Sequence, residues 1–156
     1  MTERSVEHST IVLERTYDAS PTRVFAAWSS KEALLRWGCP GGGWGSGIDH
    51  FDFRVGGGER SWFGPHGGEI YVNETRYLDV VPSERIVSAG VMTRGDTRIF
   101  VGMLTVEFCA ADIGRCRMVM TEQGAFLDDH DIPANHQAGW LKMFDNLERE
   151  LQRETA

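Results

Sequence analysis

The sequence predicts an α+β domain: one curved antiparallel β-sheet, two short helices near its start, and a long C-terminal α-helix laid over one face. Three observations predict it. From residue 48 onward, strand-length apolar stretches alternate with glycine- and aspartate-rich breaks suited to hairpin turns. In the last of these stretches Cys116, Met118, Met120 and Glu122 share one face while Arg115, Arg117, Thr121 and Gln123 share the other, so one side of the sheet is covered and the other is wet. Beyond it, Trp140, Phe144, Leu147 and Leu151 recur at i, i+4, i+7 and i+11, with Lys142, Asp145, Glu148, Arg149 and Gln152 elsewhere on the wheel. That pattern is an amphipathic helix of about four to five turns, and it supplies the cover.

The elements follow in order. Residues 1–8 carry charges of both signs and no apolar stretch, and read as a flexible tail. Residues 9–17 are rich in β-branched and apolar side chains and end at Asp18-Ala19-Ser20-Pro21, a strand closed by a turn. Ser20 is placed as an N-cap with Pro21 in the first helical position, and Val24, Phe25 and Trp28 form the apolar face of a short helix. Ser30 caps a second one through Ala33, Leu34 and Trp37, which Gly38 and Pro40 stop. A glycine-rich loop at 41–47 leads to strands expected at 48–54, 59–63, 69–81, 85–92, 97–108 and 115–123. A polar loop at 127–133 precedes the final helix. No repeat or linker interrupts the chain, and its 156 residues suit a single domain over 1–156, with a substantial core and no room for a second.

Composition narrows the partners. No apolar run approaches the roughly 20 residues of a membrane span, and the N-terminus lacks the basic start and apolar centre of a secretory signal, so the cytoplasm is the expected compartment. A net charge of −7, with no cluster of Lys and Arg, sets nucleic acid and membrane aside as partners. Cys39, Cys109 and Cys116 are odd in number and lack CxxC spacing, which fits reduced thiols rather than a disulfide framework or a zinc site. The sequon at Asn73-Glu74-Thr75 matters only in a secreted protein. A homodimer through strand edges or the helix surface stays open.

The chemistry-bearing motifs are few. Gly41-Gly42-Gly43 and Gly56-Gly57-Gly58 lack the Lys-Ser/Thr of a phosphate loop and read as turns; no cofactor is implied. His130 among Asp128, Asp129 and Asp131, with His136 nearby, has no metal-ligand spacing, and no GxSxG elbow marks a nucleophile. A pocket is suggested instead by aromatic and Met side chains at inward positions: Trp37, Trp44, Phe53, Trp62 and Phe63, then Tyr71 and Tyr77, then Met103, Met118 and Met120, with Trp140 and Phe144 on the helix. The same set could instead fill a solid core. Glu122 is the polar residue to single out, because its alternation with Met118 and Met120 turns a carboxylate inward, where it needs a partner. It would anchor a ligand hydroxyl, act as a base, or form a structural ion pair with Arg60 or Arg98. Glu59 shares a face with Phe63 if that strand keeps its register.

Several pieces resemble one family. They are Arg15-Thr16-Tyr17-Asp18-Ala19-Ser20-Pro21 with Val24-Phe25, Leu35-Arg36-Trp37-Gly38, Phe53-Arg54-Val55-Gly56-Gly57 and Gly64-Pro65-His66-Gly67. The stretch 77–87, Thr121-Glu122-Gln123-Gly124, and Gly139-Trp140 followed by Asp145-Asn146-Leu147 complete them. Together they resemble the START-like (SRPBCC, Bet v-like) superfamily in its branch of homologues of the heat-shock-protein ATPase activator (AHSA-like). The resemblance implies a helix-grip fold with a cavity between sheet and C-terminal helix. It implies a small apolar ligand of lipid, polyketide or aromatic-metabolite type. The superfamily also includes polyketide cyclase and dehydratase enzymes, which here would use Glu122 with Tyr71 or Tyr77, and co-chaperone activators of a heat-shock-protein ATPase. The catalytic constellation is incomplete in the sequence, so binding is the leading expectation.

Overall fold

In the computed structural model, which describes residues 3–39 and 43–153, the two short helices begin at their serine caps. Ser20 Oγ accepts the Arg23 amide at 3.1 Å and Pro21 opens α1 (Pro21–Trp28). Ser30 Oγ accepts the Ala33 amide at 3.2 Å and opens α2 (Lys31–Trp37). Before them runs β1 (Val6–Tyr17). After them come β2 (Trp44–Phe51), β3 (Gly58–Pro65), β4 (Tyr71–Val81), β5 (Arg85–Arg94), β6 (Thr97–Ala110) and β7 (Cys116–Leu127), and finally α3 (Pro133–Gln152). The strands pair antiparallel in one seven-stranded sheet, ordered β1-β7-β6-β5-β4-β3-β2. It is a meander from β2 to β7, with β1 added beside β7 and the edges left at β1 and β2. Register shifts at Ile48/His50, Tyr77/Asp79 and Met92/Thr93 bend the sheet around α3.

Several expected boundaries move, among them the end of β2, which stops at Phe51 rather than at 54. Of residues 1–8, expected as a flexible tail, Val6, Glu7 and His8 instead belong to β1, which begins at Val6, paired with Leu127, while residues 1 and 2 lie outside the described residues. Ser5 donates its amide to Asp128 Oδ1 at 2.9 Å and Arg4 bonds Oδ2 at 2.8 Å, fastening the start of the chain to the turn after β7. The loop expected at 41–47 is also shorter, since Gly45, Ser46 and Gly47 pair with Gly64, Phe63 and Trp62 in the β2–β3 ladder. Glycine is required there: a Cβ on Gly47 would stand 2.5 Å from Trp62 Nε1. Gly41 and Gly42 of that expected loop lie outside the described residues. The strands ending at 63, 92, 108 and 123 in the sequence reading run on to Pro65, Arg94, Ala110 and Leu127, and β4 starts at Tyr71 rather than at 69.

The fold is the helix-grip α+β arrangement. Its solid core lies where α1 and α3 pack against β1, β6 and β7, with α2 joining through the other two helices, and Tyr17, Val24, Trp37, Met118, Met120 and Phe144 are all but inaccessible there. Polar contacts lock α3 there. The Tyr17 hydroxyl donates to the Phe144 carbonyl at 3.2 Å, and Asn146 Nδ2 donates to the Cys39 carbonyl at 2.9 Å just past the end of α2. Arg36 grips the buried Glu150 carboxylate with two bonds of 2.7 Å, and this guanidinium holds the carboxyl below its ordinary range. With α3 pinned at that end, Tyr77 on β4 and Ile86 on β5 still join the core, and a cavity remains between α3 and the strands β2 to β5.

Candidate ligand cavity

The space over the sheet begins with missing side chains. Gly90 on β5 stands opposite Gly102 on β6, which stands opposite Gly124 on β7, a row of three glycines across adjacent strands. The Phe100 ring fills part of this row: a Cβ on Gly124 would fall 2.2 Å from it and one on Gly102 2.5 Å. Gly90 and Gly102 line what remains, a cavity of about 630 Å³ between the sheet and α3. That volume suits a small organic molecule.

Its walls are aromatic. Trp44, Phe63 and Tyr71 form a nearly parallel group with centroids 5.1 to 5.8 Å apart, Phe53 meets Tyr77 edge-on at 4.8 Å, and Trp28 stacks with Trp140 at 6.2 Å. Every tryptophan of the chain borders the cavity: Trp28, Trp37, Trp44, Trp62 and Trp140. Polar side chains interrupt the walls. Ser61, Asn73, Thr75 and Ser88 face inward from β3, β4 and β5.

Two ionisable groups of side chains stand at opposite walls. On the β7 side, Glu122 is 8% exposed; its Oε1 lies 2.9 Å from His136 Nδ1 and its Oε2 accepts from Trp140 Nε1 at 3.2 Å. His136 Nε2 lies 3.1 Å from Asp131 Oδ2 but off the hydrogen-bonding direction, so that contact is chiefly electrostatic. Burial alone would lower the imidazole, yet the flanking Asp131 and Glu122 outweigh it and raise it to about 9. Phe100 and Phe126 hold the ring, with centroids at 4.5 and 4.7 Å. On the β3–β4 side the Tyr77 hydroxyl donates to Glu59 Oε1 at 2.8 Å. Desolvation raises the Glu59 carboxyl above its ordinary range, against hydrogen bonds from Tyr77 and Ser61 that lower it. Desolvation, with the nearby Glu59, pushes the Tyr77 phenol up.

The expected lining divides by position. Trp37, Trp44, Phe53, Trp62, Phe63, Tyr71, Tyr77, Glu122 and Trp140 border the cavity. Met118, Met120 and Phe144 are wholly buried in the solid core and do not reach it. Met103 is a correction: it is 39% exposed on the outer face, opposite Ala89 and Gln123, because inward positions on β6 fall at Gly102 and Leu104 on either side of it. Glu122 does point inward, but its partners are His136 and Trp140. Arg60 pairs instead with Glu74 and Asp49. Nor does Glu122 bond to a phenol, since the carboxylate–phenol pair of this cavity is Glu59 with Tyr77. Among the described residues no group of three His, Cys, Asp or Glu side chains could hold a metal ion. Asp131 and His136 figure in the sequence only as metal ligands that lack the spacing; for His136 one further signal exists, since His136, Trp140 and Phe144 recur every four residues along α3 and so share a face.

The chain matches the family described as Activator of Hsp90 ATPase homolog 1-like protein over residues 18–152. An uncharacterized protein from Rhizobium leguminosarum has a similar structure, with 40% identity, a TM-score of 0.87, and coverage of 98% of this chain and 100% of that one. A protein from Rhizobium loti matches at 38% identity and a TM-score of 0.85, over 94% of this chain and 99% of that one. An AHSA1-like protein from Aeromonas hydrophila, at 20% identity and a TM-score of 0.69 over 92% of each chain, shares the fold. No curated protein matches the chain. Among the described residues no helix is long and apolar enough to cross a membrane.

Proposed function

Since the chain belongs to the Activator of Hsp90 ATPase homolog 1-like family, we propose that it uses the helix-grip fold to bind a small, largely apolar molecule, of aromatic-metabolite or polyketide type, between the sheet and α3. One observation carries this reading: the glycine row and the pinned helix leave an aromatic-walled space of about 630 Å³, furnished with a few fixed polar groups. Apolar walls supply affinity by removing hydrocarbon from water, and isolated polar groups orient the ligand. Because all of the tryptophans border the space, occupancy has a built-in optical reporter. Native mass spectrometry of gently purified protein, followed by a tryptophan-quenching screen of apolar metabolites, tests the reading. A retained mass or a saturable quench is expected; a clean apoprotein indifferent to every compound would overturn it.

A second reading, a protein-binding role such as the activation of a heat-shock-protein ATPase that the family description names, has one observation in its favour. Val12, Val101 and Met103 are exposed on β1 and β6, two strands that flank β7. Addition of the protein to a purified heat-shock ATPase should then raise its turnover, and a Val101→Lys/Met103→Lys variant should not.

A further inference from the structure

Of the carboxylates lining the cavity, Glu122 and Asp131 already have a cation between them, the His136 imidazolium, and Glu122 also accepts from Trp140. Glu59 differs. Its bonding partners are the hydroxyls of Tyr77 and Ser61, and among the described residues no Lys, Arg or His forms an ion pair with it. The other cation on the lining, Lys142, is solvent-exposed on α3.

The surroundings of Glu59 are those that favour an organic cation. Phe51 is its cross-strand partner on β2, and the Phe51, Phe53 and Tyr77 rings cluster with centroids 4.8 to 6.5 Å apart. A carboxylate next to an aromatic cluster in a partly desolvated corner attracts an ammonium group through its charge, and a ring face that the ammonium meets there adds its quadrupole. Along β3 the same inward face runs from Glu59 through Ser61 to Phe63, about 13 Å at roughly 3.3 Å per residue, and ends at the Trp44–Phe63–Tyr71 stack. The wall is therefore acidic at one end and flat and aromatic at the other.

We propose that the cavity takes an amine-bearing aromatic or apolar ligand, its ammonium group on Glu59 and its ring toward the Trp44–Phe63–Tyr71 stack. This rests on the cavity-binding reading above and names the chemical class of its ligand. The ammonium offsets the partial desolvation of a half-buried carboxylate that, among the described residues, has no cation partner, and a neutral or anionic head group does not.

The test is calorimetric titration of the full chain at neutral pH with three probes sharing one ring system: naphthylmethylamine, naphthylmethanol and naphthoic acid. The amine is expected to bind at least about tenfold tighter than the alcohol, a difference of about 1.4 kcal/mol, and the acid weakest. Glu59→Gln should abolish the amine preference, bringing the amine and the alcohol to within about twofold of each other, whereas Tyr77→Phe, which keeps the carboxylate, should still bind the amine more tightly than the alcohol. If Glu59→Gln does not fold, the ranking of the three probes on the unaltered protein decides. An amine that binds no tighter than the alcohol, or a preference that survives in folded Glu59→Gln, overturns this inference while leaving cavity binding in place. Failure of all three probes overturns it too, and failure together with a clean apoprotein by mass spectrometry removes both readings.

Discussion

Tyr77 and Glu122 lie on one cross-strand line of the sheet, three strands apart: Tyr77 is paired with Ser88, Ser88 with Leu104, and Leu104 with Glu122. At about 4.8 Å per strand they are about 14 Å apart along the sheet, each bonded to a partner of its own. Side chains that far apart with no shared partner act independently. The stability losses of Tyr77→Phe and Glu122→Gln should therefore add to within about 0.5 kcal/mol in the double variant, measured by urea unfolding. A larger coupling would mean that the two ends of the cavity communicate through the sheet.

His136 gives stability a defined pH dependence. Its folded value is raised to about 9 from an unfolded 6.5, so its stabilisation is complete below about pH 6.5 and is lost as pH rises through 9. The contribution is on the order of 3 kcal/mol at its largest, from about 1.4 kcal/mol per unit. Urea midpoints should fall between pH 6.5 and pH 9.5, and His136→Gln should be weaker at pH 6.5 and flat across that window. Ring-proton titration of His136 by NMR measures the value itself.

Arg36 and Glu150 join α2 to α3 through a bidentate pair whose carboxylate is 3% exposed. Arg36→Ala removes the bidentate partner and leaves that carboxylate with the half-exposed Arg153, 3.3 Å away at the C-cap of α3, and should cost about 2–3 kcal/mol in unfolding free energy. Replacing both members by apolar residues, as in Arg36→Met/Glu150→Leu, should recover most of the loss in thermal unfolding, because no charge then remains buried.

Gly124→Ala should destabilise by about 2 kcal/mol, since the added methyl meets the Phe100 ring and that ring is held by Phe126 and His136. The same variant should also move the His136 resonances. Met103→Lys, on the outer face, should change stability by less than about 0.5 kcal/mol, whereas Met118→Lys, in the solid core, should prevent folding in a circular-dichroism melt.

The architecture was legible in local signals. Serine caps, Pro21, the alternation along β7 and the spacing on α3 each act within a few residues, and each element formed where its signal lay. The site was legible in part. Alternation turned Glu122 inward, but it could not tell cavity from core: Met118, Met120 and Phe144 serve the core alone, while Trp37 and Tyr77, alike in the sequence, belong to the core and also border the cavity. At Met103 a one-residue difference in phase sufficed to exchange inside for outside.

Periodicity alone was enough to set the order of elements, the covered face of β7 and the helix that covers it, because it is a property of neighbouring residues. The folded arrangement was needed to align Gly90, Gly102 and Gly124 into a gap, to close His136 on Glu122 and Asp131, and to bring Glu59 to Tyr77 rather than to a cation. These pairings join residues on different elements. They are set by strand register and by where α3 is pinned, and neither is written in the spacing of any single segment.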